Sequence, residues 1–547
     1  LRAFPADAYT QTVRGISTRQ WLLAILSGIL QVLIFPSPSL YLLSWIAIAP
    51  LILAVVHPLI RGMEWLDSSG VSLSATTPAQ GFLLGYINGI IVFAGSCYWV
   101  YHVMHLYGGL TAPVAAGVQA LFCLYLGLYN GAFGLLLALA ARRQTDGLRR
   151  ALLVSPFLWV AMELARARIT GFPWDLLGTA QVDNIPLSSL GTLTGVYGVS
   201  FIIALVNAGM VAAWLSPPLR RRRLVPIIVA VAAMLQLGAL VHPKPLPAPE
   251  RANLVQQNIP LDFDWTPARL SETTSQLVQL STLPPPPGPP SARGLRLIIW
   301  PESPAPFYDN DLAFRQVLSS LARGQQAYVV AGVVGTLKSV GGKPNTPPDL
   351  ANRAVMVAPS GEWAARYDKV HLVPFGEYVP FKSLFGFADK LTRDVGNFRP
   401  GKQRTVFHSG GNDLGTFICY EEIFPDEVRE FAARGAQVFI NISNDGWYGE
   451  HGAPGQLLNM ARMRSVENRR WMLRATNTGI TASIDPYGRV VAQAPRNQRV
   501  SLEAPYDFAR GDTLYTRRGD WFAWTCAIIS LLGIFVRFSF RAMKLSS

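Results

Sequence analysis

Apolar residues fall in two rhythms along this chain. Through residue 242 they form long unbroken runs, at 21–35, 41–57, 80–104, 110–141, 151–164, 191–215 and 224–241, and one further run at 521–536 closes the chain. A helix needs about 20 residues to cross the hydrocarbon core of a bilayer, so the short first and fifth runs must borrow flanking residues and the long fourth must tilt, kink or project. The pattern predicts a multi-pass domain of seven transmembrane helices over 1–242, and an eighth helix with a cytoplasmic tail over 521–547.

Between them the rhythm shortens. A stiff proline-rich linker, HPKPLPAPE at 242–250, opens a stretch in which brief apolar runs alternate with helical patterns. Strands are expected at 253–257, 295–300, 328–334, 354–358, 414–418 and 438–442, and helices at 311–323, 426–434 and 456–471. A hairpin is expected at 480–493, turning on Asp-Pro-Tyr-Gly. Residues 243–520 therefore read as one extramembrane α/β domain, with the proline-rich 283–294 as an exposed loop.

Charge sets the expected orientation. The formal net charge of +14 could suggest nucleic acid, but the arginines gather beside apolar runs: Arg142, Arg143, Arg149 and Arg150 in one loop, Arg220 to Arg223 in another. With a cytoplasmic start the short inside loops are arginine-rich, while the outer ones hold only Arg166 and Arg168; Arg517 and Arg518 run against the rule and are outnumbered. Seven crossings then place 243–520 outside the cytoplasm, and no nucleic-acid partner is expected. The chain starts on Leu1, and its first run leads into others rather than to a cleavage site, so it reads as a retained span.

The four cysteines and seven histidines show no ligand spacing, so no metal is expected. No glycine-rich phosphate cradle is present either, and no cofactor is expected. Glu163, followed by Arg166 at i+3, reads either as an interfacial ion pair or as part of a lipid-headgroup site shaped with the GFPW loop.

Candidate chemistry lies in three segments of the α/β domain. LRLIIWPES places Glu302 after a strand, RYDKVHLVPFGEYVP offers Lys369 and Glu377, and LGTFICYEE puts Cys419 where a strand turns into a helix, near free amides that lower a thiol pKa. A carboxylate can take the thiol's proton, a lysine can neutralise an oxyanion, and the cysteine can attack a carbonyl. Each alone has an ordinary alternative: a buried apolar cysteine, a strand-end cap, a solvated lysine beside Asp368.

Taken together and in order, WPES, YDKVHLVPFGEYVP and ICYE resemble the nitrilase superfamily, whose αββα sandwich carries a Glu-Lys-Cys triad. With the helical half, GFPW, VQQNIP at Gln256 and NDGWYG at 444–449, the chain more narrowly resembles the apolipoprotein N-acyltransferases of the bacterial inner membrane. The resemblance implies Glu302 as general base, Lys369 as oxyanion stabiliser and Cys419 as nucleophile. It adds Glu377 supporting the lysine, Tyr420 and Glu421 around the thiol, the Tyr420 amide as oxyanion donor, and Trp265 near the site. It further implies a ping-pong acyl transfer from a glycerophospholipid donor to the α-amine of a diacylglyceryl apolipoprotein, with the catalytic domain periplasmic. Exposed aromatics such as Phe375, Trp447 and Tyr448 are expected to form a gate, and a monomer is the default. The rival reading is a membrane-tethered amidase or nitrilase acting on a small amide.

Overall fold

Reciprocal side-chain caps start two of the N-terminal helices in this computed structural model, which describes residues 15–56, 76–142, 147–261, 264–282, 295–337, 349–374, 376–378, 398–449 and 452–535. Ser17 and Gln20 cap α1 (Thr18–Leu33), α2 is Ala49–Val56, and Thr77 with Gln80 caps α3 (Pro78–Ser96). Then follow α4 (Ala112–Ala141), α5 (Gly147–Ala165), α6 (Val196–Trp214) and α7 (Pro218–Leu237).

Among the described residues four helices are long and apolar enough to cross a membrane: Pro78–Ser96, Ala112–Ala141, Val196–Trp214 and Pro218–Leu240. The second apolar run is broken, into a 3-10 turn at Tyr41–Trp45 and the short α2. Antiparallel neighbours α3 and α4 approach through glycine. A Cβ on Gly85 would lie 2.0 Å from the Asn130 carbonyl oxygen, and one on Gly134 would lie 2.1 Å from that of Gly81. Backbones this close gain dispersion contact that no larger residue permits.

The α/β domain holds two six-stranded sheets, ordered β12-β1-β2-β3-β4-β5 and β11-β10-β9-β8-β7-β6. The first contains β1 (Glu250–Gln256), β2 (Leu297–Ile299), β3 (Tyr328–Leu337), β4 (Asp349–Val357) and β5 (Trp363–Asp368). The second contains β6 (Val406–Ser409), β7 (Asn412–Ile418), β8 (Val438–Ser443), β9 (Trp471–Thr476), β10 (Ala482–Ile484) and β11 (Val490–Gln493). The last strand, β12 (Val500–Tyr506), returns antiparallel to β1 in the first sheet.

Strand alternation divides the core into layers. On β2, Leu297 and Ile299 face the second sheet's Leu414, Phe417 and Ile440 in one buried cluster. Between them Ile298 points the other way, into a cluster with Leu277 of α8 (Pro267–Thr282) and Phe314 and Leu318 of α9 (Leu312–Gln325). On the second sheet's side lie α10 (Pro425–Ala433) and α11 (Ala453–Asn468), and α12 (Trp521–Phe535) ends the described chain. Helix α11 stops short of the expected 471 because Arg469 takes a left-handed φ of 52°, which frees Trp471 to begin β9.

Bundle and α/β domain share one core. Phe93, Cys97, Trp99, Phe172 and Trp174 from the helical half belong to the same buried cluster as Cys419, Tyr420 and Tyr448. Gln456 of α11 fixes the seam: it accepts from the Trp174 indole at 2.9 Å and donates to the carbonyls of Pro36 at 2.9 Å and Ser96 at 3.1 Å.

Candidate active site

Strand β7 delivers Cys419 into a sharp turn. The residue has φ 52°, a left-handed conformation that costs a non-glycine about 1–3 kcal/mol, and it opens the 3-10 turn Cys419–Ile423, which leads into α10. The first amides of such a turn have no partner within it. Glu421 sets the geometry. Its Oε2 accepts from Ile418 N at 2.7 Å, while Oε1 accepts from the Tyr367 hydroxyl at 2.7 Å and from the amides of Val370 at 2.8 Å and His371 at 3.1 Å. One carboxylate thus ties the turn to the segment after β5. Burial pushes its pKa up to about 7 against the pull of those donors.

Lys369 begins that segment, and its side chain is 1% exposed. Its Nζ donates to Glu377 Oε1 at 2.9 Å and to Glu302 Oε1 at 3.2 Å. Burial opposes the charge, yet Glu302 and Glu377 outweigh it and hold the lysine pKa well above its ordinary value. Glu302 follows β2, and its Oε2 accepts from Asn444 N at 2.9 Å, the first residue of NDGWYG. Glu377 Oε2 accepts from Val373 N at 2.8 Å. The thiol differs from expectation: burial first, then the Glu302 charge, push the Cys419 pKa well up, outweighing Lys369. It rests protonated.

Two groups at this centre lacked any signal in the sequence. Asn352 of β4 donates Nδ2 to both Glu302 Oε1 and Glu377 Oε1, at 2.7 Å each. An asparagine inside an apolar strand pattern does not announce that role. Arg474 of β9, fully buried, pairs with Glu422 at 2.8 Å and donates to Asp445 at 3.0 Å beneath the turn.

The aromatic residues expected near the site take different places. Trp265 packs on the outer cluster of Val255, Trp300 and Phe314, whereas Cys419 belongs to the layer between the sheets. Tyr448, expected exposed, is buried and meets Trp99 edge-on at 4.9 Å. Trp447 is 39% exposed and packs edge-on against Tyr107; Phe375 lies outside the described residues.

Glu163 does not have Arg166 among its hydrogen-bond partners. It accepts from Trp159 Nε1 at 3.2 Å and Leu177 N at 2.7 Å, and Arg166 donates to the Trp174 carbonyl at 2.7 Å beneath the face of Phe93. Both groups line a cavity of about 50 Å³ in the bundle. The GFPW loop reaches the centre directly, through the Tyr420 hydroxyl donating to the Gly171 carbonyl at 3.4 Å.

Residues 27–209 match the family model described as Apolipoprotein N-acyltransferase N-terminal domain, and residues 251–510 match that described as Carbon-nitrogen hydrolase. The apolipoprotein N-acyltransferase of Geobacter metallireducens is 36% identical over 94% of this chain and 94% of its own. That of Methylococcus capsulatus is 34% identical over 91% of this chain and 92% of its own, and that of Shewanella oneidensis 30% identical over 87% and 90%.

Proposed function

The chain belongs to the apolipoprotein N-acyltransferase family, and on that premise we propose that it moves an acyl chain from a membrane glycerophospholipid, through a thioester on Cys419, to the α-amine of a diacylglyceryl-cysteine. The observation that carries the reading is the charged cluster of Glu302, Lys369 and Glu377 acting on a buried thiol whose core is continuous with apolar helices. A thiol so placed meets an ester at the bilayer interface while the acyl chain stays in hydrocarbon. In this reading the eight apolar runs are spans of a bacterial inner membrane, and the α/β domain stands on its periplasmic side.

Because the thiol rests protonated, Glu302 takes its proton as attack proceeds. The Sγ atom forms a bond to the ester carbonyl carbon; the tetrahedral oxygen is held by the Lys369 ammonium and the Tyr420 N–H. Collapse breaks the ester C–O bond, the proton from Glu302 passes to the leaving alkoxide, and lysophospholipid departs. The acceptor amine then attacks the thioester, Glu302 receives its proton, and the thiolate leaves to regain one. Glu377 keeps Lys369 charged and aimed throughout. Water must stay out of this step, since it would hydrolyse the thioester.

The test follows a labelled acyl group on purified protein. With labelled phospholipid alone the label should accumulate on Cys419, and adding a diacylglyceryl-cysteine peptide should move it to the peptide's α-amine. Release of free fatty acid at one rate with or without a free amine would make the protein a hydrolase.

A further inference from the structure

We infer that Asn352 is a positioning residue of this centre: it spans Glu302 and Glu377 and keeps the two carboxylates charged and fixed around Lys369. The inference rests on the reading of Glu302 as base. Asn352 sits on β4 with 6% exposure, and its side-chain amide carries two protons. Both are spent, on Glu302 Oε1 and Glu377 Oε1 at 2.7 Å each. Lys369 Nζ donates to the same two oxygens, so two carboxylates are bridged twice and lie no more than two hydrogen-bond lengths apart. The main chain closes the arrangement, because the Asn352 carbonyl accepts from Lys369 N at 2.8 Å.

Two buried carboxylates at that separation repel, and one lysine leaves an excess negative charge. Unaided, such a pair takes up a proton on one member, and a protonated Glu302 cannot accept another from the thiol. The amide supplies the second partial positive charge that the pair lacks, and it does so without contributing a proton that could be transferred. The other ionisable groups facing this pair do not replace it: Cys419 and Tyr448 are neutral at rest, and neither Glu421 nor Asp445 can supply positive charge.

The experiment measures alkylation of Cys419 by iodoacetamide against pH in the purified full-length protein, read by intact mass. Iodoacetamide needs no acyl donor, so failure of the acyl-transfer reading leaves this readout standing. Wild type should show an acid limb that depends on Glu302, and Glu302→Gln should lose it; an unchanged limb in that variant overturns the inference. Asn352→Ala should move the limb's midpoint to higher pH by about half a unit or more, and the isosteric Asn352→Asp, which removes the bridging protons and adds charge, should move it further. Should Asn352→Ala fail to fold, Asn352→Asp decides. A wild-type midpoint in the folded variants, with the rate unchanged or lowered equally at all pH values, overturns the inference and leaves Asn352 a packing residue.

Discussion

At the scale of single residues, Cys419 is held ready by its turn and held back by its burial. Its φ is left-handed at the end of β7, and desolvation pushes its thiol pKa well up. Cys419→Ala should therefore abolish acyl-enzyme, and Cys419→Ser should leave little turnover because an alcohol is harder still to deprotonate; wild-type acylation in either variant, seen by labelled phospholipid, would refute the mechanism. Glu421 serves four donors with two oxygens, and Gln offers only one acceptor. Glu421→Gln should cost about 1–3 kcal/mol, the penalty of leaving buried donors unmatched, and should lower turnover by loosening the turn from Lys369. The pH sign follows from its folded value near 7, above the ordinary 4.5. The folded state binds the extra proton, so this contribution is full below about pH 4.5 and is lost as pH rises through 7. The stability advantage of wild type over Glu421→Gln, from thermal melts, should narrow across that window and then level off. Glu302 and Cys419 were legible in the sequence because each follows an apolar run, and Lys369 only through the motif YDKVHLVPFGEYVP that contains it. Asn352 and the Asn444 amide were not, since one joins partners from distant strands and the other acts through its main chain.

Elements are joined by charges and by absent side chains. Arg168, in the segment that follows α5, bonds at once to Asp426 at the start of α10 and to Asp520 just before α12. This arginine thus ties the bundle to the helix that follows Cys419. Within the α/β domain the buried Arg474 neutralises Glu422 and Asp445 together. Arg474→Met would strand two buried carboxylates and should destabilise the domain by about 3–5 kcal/mol, read as a fall in melting temperature. In the bundle, Gly85→Leu has no room against Asn130 and should separate α3 from α4; retention of the wild-type melting temperature would contradict that packing. The four-residue spacing of Gly81, Gly85 and Gly89 was there to be read in the sequence. So were most central strands, whereas β5, β6, β9 and β12 escaped: β5 and β12 are half-exposed, β6 is only four residues long, and β9 was absorbed into the preceding helical pattern.

For the whole molecule, the two rhythms of the sequence foretold two kinds of architecture but not how closely they fuse. Hydrophobic periodicity reports which face of an element is buried, not which distant element covers it. The proposed topology is open to direct test: a membrane-impermeant thiol reagent applied to intact spheroplasts should reach a cysteine engineered at an exposed site of the α/β domain, such as Arg434→Cys, and should miss one at Arg142. Labelling of Arg142→Cys from outside would invert the assignment. The packing of α12 carries a further consequence. Ala523 and Cys526 of α12 share a buried cluster with Val160 and Leu164 of α5 and with Val196 of α6. During synthesis α5 leaves the ribosome long before α12, and the entire α/β domain is translated in between. A chain arrested before Trp521 would leave that seam between α5 and α6 open. Loss of the residues that close this seam, as in Ala523→Asp, should therefore loosen α5 and α6 and lower the melting temperature, and an unchanged melt would contradict the packing.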